Sequence, residues 1–334
     1  MKRLINLTIF ISLLFLVIIS CEEKQPEIDR MAVITKAKGI FKQLPRTMPG
    51  AEKDTPEIIA LGKSLYFDVR LSKENNQSCN TCHVINNNGA GVDNLPTSPG
   101  SMVKTIGTRN SPTVLNAGFH FVQFWDGRSP NLKEQAKGPI LNPVEMGMPN
   151  KKAVEMKIGA ISKYKEMFKS AGMKITYDNL AEAIAAFERT LITKDRFDLF
   201  LKGNPQALRN NEIDGLLLFI DKGCTTCHTG KLLGGNMYQK MGLLKPYADT
   251  TDKGRYEVTN KETDKYMFKV PSLRNVALTA PYFHDGKVTN LKAATILMAN
   301  IQLGKSLTDD EANKIVSFLE SLSDINITRG QKKK

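Results

Sequence analysis

Two short motifs in this 334-residue chain combine the residue types that bind a haem covalently. Four of the five cysteines lie in motifs of the form C-x-x-C-H, which are Cys79-Asn-Thr-Cys82-His83 and Cys224-Thr-Thr-Cys227-His228. In this pattern both thiols add to the vinyl groups of the haem, and the adjacent histidine becomes the proximal ligand of the iron. The sequence therefore predicts two covalently bound haem c groups, one on each motif.

Three other uses of these cysteines agree less well with the sequence. A zinc site with four cysteine ligands usually spaces its pairs closely, whereas the pairs here are 145 residues apart (224 − 79). A thioredoxin-like motif requires a strand–helix–strand setting, and the flanking segments have a helical pattern. Two structural disulfides suit an oxidising compartment, but each would close a strained two-residue loop.

The first residues have the features of an export signal. Lys2 and Arg3 precede a mainly apolar run over residues 4–19, which ends in Ile-Ile-Ser-Cys21. This run is shorter than the roughly 20 apolar residues that a membrane span needs, and its end resembles a bacterial lipobox. We expect a signal peptide over 1–20, a lipid on Cys21 and a polar tether over 21–38. An uncleaved anchor is the alternative. Either way the body is exported, and we predict a periplasm-facing lipoprotein that touches the membrane through its lipid.

The basic charge of the chain does not indicate a nucleic-acid partner. The formal net charge is +13, from 47 Lys and Arg against 34 Asp and Glu. These basic residues are scattered apart from a short tail over 332–334, and the chain has no helix-turn-helix, RNP or zinc-finger pattern. The charge remains compatible with anionic lipid or an acidic protein partner.

Two loops repeat in register and indicate a duplicated domain. Pro112 precedes Asp126 by 14 residues, and Pro271 precedes Asp285 by the same 14. In this register Trp125 and His284 occupy equivalent places. Chance similarity of two loops is the alternative.

The remaining pattern is mostly helical. Apolar helical stretches over 58–67 and 213–220 precede the two haem motifs, Asp178 or Asn179 is expected to cap a helix, and Thr308 with Glu311 predicts a capping box. We predict an all-α fold with long loops and two cytochrome c-like haem domains. The N-terminal haem domain is expected over 39–200 and the C-terminal one over 201–334, and the two ends of the chain can pack together.

From about residue 56 to residue 322 the chain resembles the bacterial di-haem cytochrome c peroxidase family, which includes the MauG branch. The segments that carry this resemblance are Phe124-Trp-Asp-Gly-Arg128, Glu134-Gln-Ala-Lys-Gly-Pro-Ile140, Asn142-Pro-Val-Glu-Met146, Phe268-Lys-Val-Pro-Ser-Leu-Arg-Asn275 and Thr279-Ala-Pro-Tyr-Phe-His284. The resemblance implies a peroxidatic haem in the N-terminal domain, an electron-transfer haem in the C-terminal domain, and calcium between them. It also implies hydrogen peroxide as substrate, a small cytochrome c or cupredoxin as electron donor, and a homodimer, since the family is often dimeric.

The same resemblance assigns roles to individual residues of this chain. His83 corresponds to the proximal ligand of the peroxidatic haem and His228 to that of the electron-transfer haem, with Met298 as axial methionine. Trp125 corresponds to the tryptophan between the haems. Gln135 and Glu145 correspond to the distal peroxide pocket. Asn110, with the backbone of Thr279 and Pro281, corresponds to the calcium site.

Peroxide cleavage requires chemical groups that Glu145 and Met298 can supply. A carboxylate near the iron can move a proton from the bound oxygen to the leaving oxygen, and a thioether ligand raises the potential of the haem that stores an electron. Met237 and Met241 are alternative ligands near the second motif. His120 and His284 are interpreted as structural histidines.

Three functions are compatible with these motifs. A cytochrome c peroxidase is favoured, because the segments around Gln135 and Glu145 are present. A non-catalytic di-haem electron carrier is one alternative. A MauG-like oxidase of a partner protein is another, although that branch has tyrosine where this chain has Met298.

The resting state of the peroxidatic haem is a further expectation. Many family members close this haem with a histidine before the position of Asn110, but residues 84–119 contain no histidine. Either the site is open to water or peroxide, or Met102 closes it, with His120 as a weaker candidate. We favour the open site.

Overall fold

The computed structural model describes residues 28–331, so the predicted signal peptide, Cys21 and the first part of the predicted tether lie outside the described residues. Within that range the chain is mostly helical with long loops, as predicted, and no helix there is long and apolar enough to cross a membrane. The helices are α1 (Arg30–Ile40), α2 (Pro56–Tyr66), α3 (Cys79–Cys82), α4 (Leu132–Leu141), α5 (Lys151–Gly159), α6 (Ser162–Ser170), α7 (Tyr177–Glu188), α8 (Arg196–Leu201), α9 (Asn210–Asp221), α10 (Tyr256–Thr259), α11 (Leu291–Leu303), α12 (Asp309–Glu320) and α13 (Ile325–Gln331). Strands β1 (Tyr238–Lys240) and β2 (Met267–Lys269) pair antiparallel.

Two hydrophobic cores organise these helices. The first joins the apolar faces of α2, α4, α5, α6 and α7, and the second joins those of α1, α8, α9 and α12. In each core one pair of helices crosses at a glycine. A Cβ atom at Gly62 would lie 1.7 Å from the carbonyl oxygen of Ala183 on α7, and one at Gly215 would lie 1.8 Å from that of Lys314 on α12. Any side chain would force these helices apart, so both halves depend on the same close backbone approach.

The repeat predicted from the sequence is present in the backbone. Asn116 and Asn275 both adopt a left-handed conformation with φ of 63°. Their N–H groups donate to the carbonyl oxygens of Leu191 at 2.9 Å and Leu322 at 3.0 Å, which follow α7 and α12. Asparagine tolerates this conformation better than most residues, which explains its presence at both positions.

The described structure differs from the predicted tether and domain boundary. The tether does not extend to Lys38, because residues 30–40 form α1, and Val33, Ile34 and Ala37 are buried in the second core. Helix α8, most of which falls in the predicted N-terminal domain, also packs in the second core. The chain therefore contributes α1 to the second core, then forms the first core with α2 to α7, and contributes to the second core again from α8 onward. Three apolar residues are spaced so that they share one face of α1. The segment is polar on average, and this conceals the helical pattern in the sequence.

The helix caps agree with prediction in one case and not in the other. Thr308 and Glu311 form the expected capping box on α12, with N–H to side-chain oxygen distances of 3.2 and 3.0 Å. The prediction for α7 is wrong, because Thr176 is the cap and its hydroxyl accepts from the Asn179 N–H at 3.2 Å. Asp178 and Asn179 already lie inside the first turn.

Candidate active site

The first C-x-x-C-H motif lies on a cavity of about 470 Å³, which Cys79, Cys82 and His83 line. Because α3 is a single turn over residues 79–82, both thiols come from one short helix. The backbone of His83 is fixed on two sides. Its N–H donates to the Cys79 carbonyl at 2.9 Å, and its own carbonyl accepts from the Tyr66 hydroxyl at 2.6 Å. Tyr66 is fully buried on α2, so the first core holds the motif in place.

Gln135 and Glu145 line this same cavity. Gln135 lies on α4, and Glu145 follows the end of that helix. The Asn142 side-chain amide donates to Glu145 Oε1 at 2.9 Å, which orients the carboxyl group. Burial raises the pKa of Glu145, and the Arg128 charge and the Asn142 hydrogen bond offset part of that rise. A raised pKa makes this carboxylate a stronger base, which suits it to accept and return a proton.

The second motif lies on a separate cavity of about 250 Å³, which Cys224, Cys227 and His228 line. The Nδ1 atom of His228 is 2.9 Å from the carbonyl oxygen of Leu233. As a donor to that carbonyl, Nδ1 carries the proton, and Nε2 is left free as a ligand. The tertiary structure therefore fixes the ring in the tautomer that iron coordination requires.

The position of the methionines separates the candidate ligands of the second haem. Met298 on α11 lines the second cavity together with His228. Met241 also lines it, whereas Met237 is not among its lining residues. Met298 lies within a helix of 13 residues, which gives its sulfur a firmer support than a loop does.

Trp125 lies in a wall that the two cavities share. It lines both of them. Its indole Nε1–H donates to the Asn110 carbonyl at 2.9 Å, and its own carbonyl accepts from the Lys269 N–H at 2.7 Å. Its repeat partner His284 lies beside it, with 6.5 Å between the ring centroids. The two equivalent positions therefore meet at the junction of the halves.

The residues of both cavities fit covalently bound haem. The four motif cysteines are free thiols that form no disulfide, and burial raises the pKa of Cys82 and of Cys224 to about 11. The two pairs line different cavities, and residues 28–331 contain no group of three or more His, Cys, Asp or Glu arranged to hold a metal ion. A shared zinc site is thus inconsistent with the structure. Each cavity instead joins two thiols, which attach haem c, and an imidazole, which ligates its iron.

The three residues predicted to bind calcium come together at the second cavity. Asn110, Thr279 and Pro281 all line it. The Asn110 side-chain amide donates to the Leu95 carbonyl at 2.9 Å. Asn94 also contacts this segment, since its side-chain amide donates to the Ala280 carbonyl at 2.6 Å. No sequence pattern singles out Asn94, because the contact joins residues 186 apart.

Two residues in the first cavity were not predicted, and one candidate ligand does not line it. Glu188, at the end of α7, lines the cavity with an Oε2 atom that has no partner in the described residues. Lys269 lines both cavities beside His120. Met102 is not among the residues that line the first cavity, and its sulfur is 3.5 Å from Lys73 Nζ.

Comparison with known proteins gives matches over most of the chain. The family model described as di-haem cytochrome c peroxidase matches residues 56–206, and the cytochrome c model matches 213–323. Cytochrome c551 peroxidase of Pseudomonas aeruginosa is 47% identical over 87% of this chain and 86% of its own length. Cytochrome c551 peroxidase of Nitrosomonas europaea is 46% identical over 80% of this chain and 81% of its own length.

More distant matches involve MauG and its relatives. The methylamine utilization protein MauG of Methylorubrum extorquens is 32% identical over 82% of this chain and 80% of its own length. A crystal structure of a MauG-like protein associated with microbial copper homeostasis superposes with a TM-score of 0.75 at 26% identity, over 86% of this chain and 95% of that one.

Proposed function

We propose that the two cavities of this chain have different roles. The chain belongs to the di-haem cytochrome c peroxidase family and is itself a peroxidase with covalently bound haem c. The first cavity is the site of hydrogen peroxide reduction, and the second stores an electron from the donor. One observation carries this division. Glu145 and Gln135 line only the first cavity, whereas Met298 lines only the second. Haem bound in each cavity supplies the iron that binds peroxide in one and exchanges electrons in the other.

Glu145 is the proton carrier of the first cavity. With haem bound, this carboxylate would take a proton from peroxide and return it to the oxygen that leaves as water. The second oxygen would become water with two electrons from the haems and the donor and two protons from solvent. The hydrogen bond from Asn142 at 2.9 Å holds the carboxyl group in one orientation for both transfers. Gln135, on the adjacent helix α4, orients peroxide or water by hydrogen bonding.

Trp125 forms the contact across which the two halves exchange electrons. It lines both cavities, and backbone groups of Asn110 and Lys269 hold both its ring and its carbonyl. Asn110 and the backbone carbonyls of Thr279 and Pro281, which line the second cavity, would hold calcium nearby. Uncharged amide and carbonyl oxygens are ligands that calcium accepts. Because residue 110 and residues 279–281 belong to different halves, bound calcium would connect the halves at this wall.

The peroxidatic site is open in the oxidised enzyme. Met102 does not line the first cavity, and its sulfur lies against Lys73. His120 is engaged with Lys269 at 2.7 Å. Both side chains therefore have other partners, which supports an oxidised site that peroxide would enter without prior reduction of the other haem.

The enzyme works in the periplasm as a lipoprotein anchored through Cys21, and its donor is a small cytochrome c or a cupredoxin. A homodimer is the proposed assembly. Replacing Cys21 with serine is the direct test of the anchor, since the variant is expected in the soluble periplasmic fraction with an unchanged haem spectrum.

The proposed chemistry is tested by turnover of the holoprotein with hydrogen peroxide and a reduced cytochrome c, followed by absorbance of the donor. We expect turnover by the wild type, and a loss of about 100-fold or more in Glu145→Gln, the effect of removing a general acid–base group. Glu134→Gln is the matched control, because Glu134 lies on α4 but does not line the cavity. A wild type that transfers electrons but leaves peroxide intact would identify a carrier instead.

A further inference from the structure

Lys269 is a buried cation with no carboxylate partner in the described chain. Its residue is 4% exposed, at the end of β2, and it lines both cavities. The nearest acidic influence is Asp126, but that carboxylate is already paired with Arg109 and Arg128. A buried lysine is rare unless something compensates its charge.

The side chain that shares a hydrogen bond with Lys269 also has an unsatisfied polar atom. Lys269 Nζ lies 2.7 Å from His120 Nδ1. The other ring nitrogen of this histidine, Nε2, is buried without a hydrogen-bond partner in residues 28–331. As an ammonium, Nζ can only donate to Nδ1, which places the proton of the neutral imidazole on Nε2. Two N–H groups of Lys269 and one of His120 thus remain to be used at the junction of the two cavities.

These N–H groups need a hydrogen-bond acceptor, and the positive charge of Lys269 limits which chemical groups can serve as that acceptor. A water molecule accepts hydrogen bonds but leaves the ammonium charge uncompensated in a buried site. A carboxylate does both, since it accepts several hydrogen bonds and carries the opposite charge. Burial lowers the pKa of Lys269 to about 7 in its absence. An adjacent carboxylate would restore the charged form.

We propose that Lys269 and His120 form a binding site for a propionate carboxylate of haem, located in the wall between the two cavities. The proposal rests on both cavities holding haem, and it does not depend on the peroxide chemistry assigned to Glu145. Both residues line both cavities, so the carboxylate comes from the haem of the first cavity or from that of the second.

The backbone of Lys269 links this site to Trp125. The Lys269 N–H donates to the Trp125 carbonyl at 2.7 Å while its side chain faces the cavities. One residue therefore positions the haem edge through its side chain and the indole through its main chain. Substituting the side chain leaves the backbone contact in place, so the two roles can be separated.

The test is a redox titration of both haems in purified holoprotein. Lys269→Met removes a positive charge from beside a propionate, which favours the ferric form and lowers the potential of the haem that donates it. We expect at least a tenfold change in the ferrous-to-ferric ratio of that haem at fixed potential, equivalent to about 59 mV for one electron. The haem that shifts identifies the source of the carboxylate. A shift in both shows that each haem contributes one.

Three further variants make the outcome decisive. Lys269→Arg keeps the charge and should retain the wild-type potentials, whereas a purely structural role would not distinguish it from methionine. His120→Gln should give a smaller shift in the same haem. Lys240→Met, at the exposed last residue of β1, should change neither potential. Unchanged potentials in Lys269→Met and His120→Gln proteins that carry both haems would overturn the proposal. A shift in Lys269→Met with full turnover in Glu145→Gln would keep this site and refute the proposed proton carrier.

Discussion

The two cavities are built on the same scaffold but differ in the chemistry of their walls. Each is flanked by a helix pair that crosses at a glycine, Gly62 in one half and Gly215 in the other. Four acidic residues line the first cavity, whereas no Asp or Glu is among the described residues that line the second. At the position after the phenylalanine that packs on each glycine, the first half has Glu188 and the second has Leu319. This difference agrees with the proposed roles, in which the first cavity transfers protons and the second stores an electron.

The second half has a buried ion-pair cluster at a repeat position where the first half has leucine, and its loss should have the largest effect on stability. Arg274 is fully buried and pairs with Asp195 and, at 2.8 Å, with Asp198. The equivalent residue of the first half is Leu115. Arg274→Leu would leave two carboxylates buried without a counter-charge, so we expect the free energy of unfolding to fall by about 3–5 kcal/mol.

Denaturant unfolding of the holoprotein measures this loss. Lys36→Gln removes only an exposed pair with Asp221 and should cost about 1 kcal/mol or less. If Arg274→Leu is no more destabilising than this control, the triad is not what holds α8 against the second half.

Met298 should determine the potential difference between the two haems. Met298→Ala removes the thioether from the second cavity, and we expect the potential of that haem to fall by on the order of 0.1 V, within the span of about 0.8 V that axial ligands cover. Peroxide turnover should slow, because the donor then reduces this haem less readily. Redox titration by absorbance measures the shift, and Met241→Ala is the matched control because Met241 lines the same cavity. A fall in the Met241→Ala protein alone would reassign the ligand.

The Glu188 position gives a pH-dependent difference between the halves. Burial raises the pKa of Glu188 from 4.5 to about 8. Between pH 4.5 and about pH 8, the Glu188 side chain is therefore neutral in the folded protein and ionised in the unfolded protein. Its presence costs no stability below about pH 4.5, and stability decreases as pH rises towards about 8, by at most about 1.4 kcal/mol per pH unit.

Glu188→Gln should remove this pH-dependent part. The difference in unfolding free energy between variant and wild type, measured from pH 5 to 8 (roughly the window that the pKa shift defines), should grow with pH. Glu182→Gln on the same helix is partly exposed and serves as control. A difference that stays constant with pH would show that Glu188 is ionised in the folded state.

Met102 should have the smallest effect. If the first cavity is open at rest, Met102→Ala leaves both the EPR spectrum and the peroxide activity of the oxidised enzyme unchanged, with one haem high-spin. Two low-spin haems in the resting wild type, and a high-spin signal that appears only in Met102→Ala, would instead establish a methionine gate.

The sequence alone predicted the features that depend on residues close to one another in the chain. The haem attachment residues, such as Cys79 and His83, follow one another along the chain, and the capping box of Thr308 and Glu311 spans a single helical turn. The repeat was visible because both copies keep the same spacing. The assignments of Glu145, Gln135 and Met298 came from the family resemblance, and the structure places each in the expected cavity, although their roles remain predictions.

Tertiary structure decided what depends on contacts between distant residues. The place of α1 in the second core, the contact of Lys269 with His120 across 149 positions, and the burial of Glu188 beside a haem cavity are not encoded in any local pattern. Hydrophobic periodicity predicts that a face is buried but not which core buries it. Likewise, the residue type of a lysine or glutamate predicts exposure, and only the folded chain shows which of them have been taken out of water and brought to the haems.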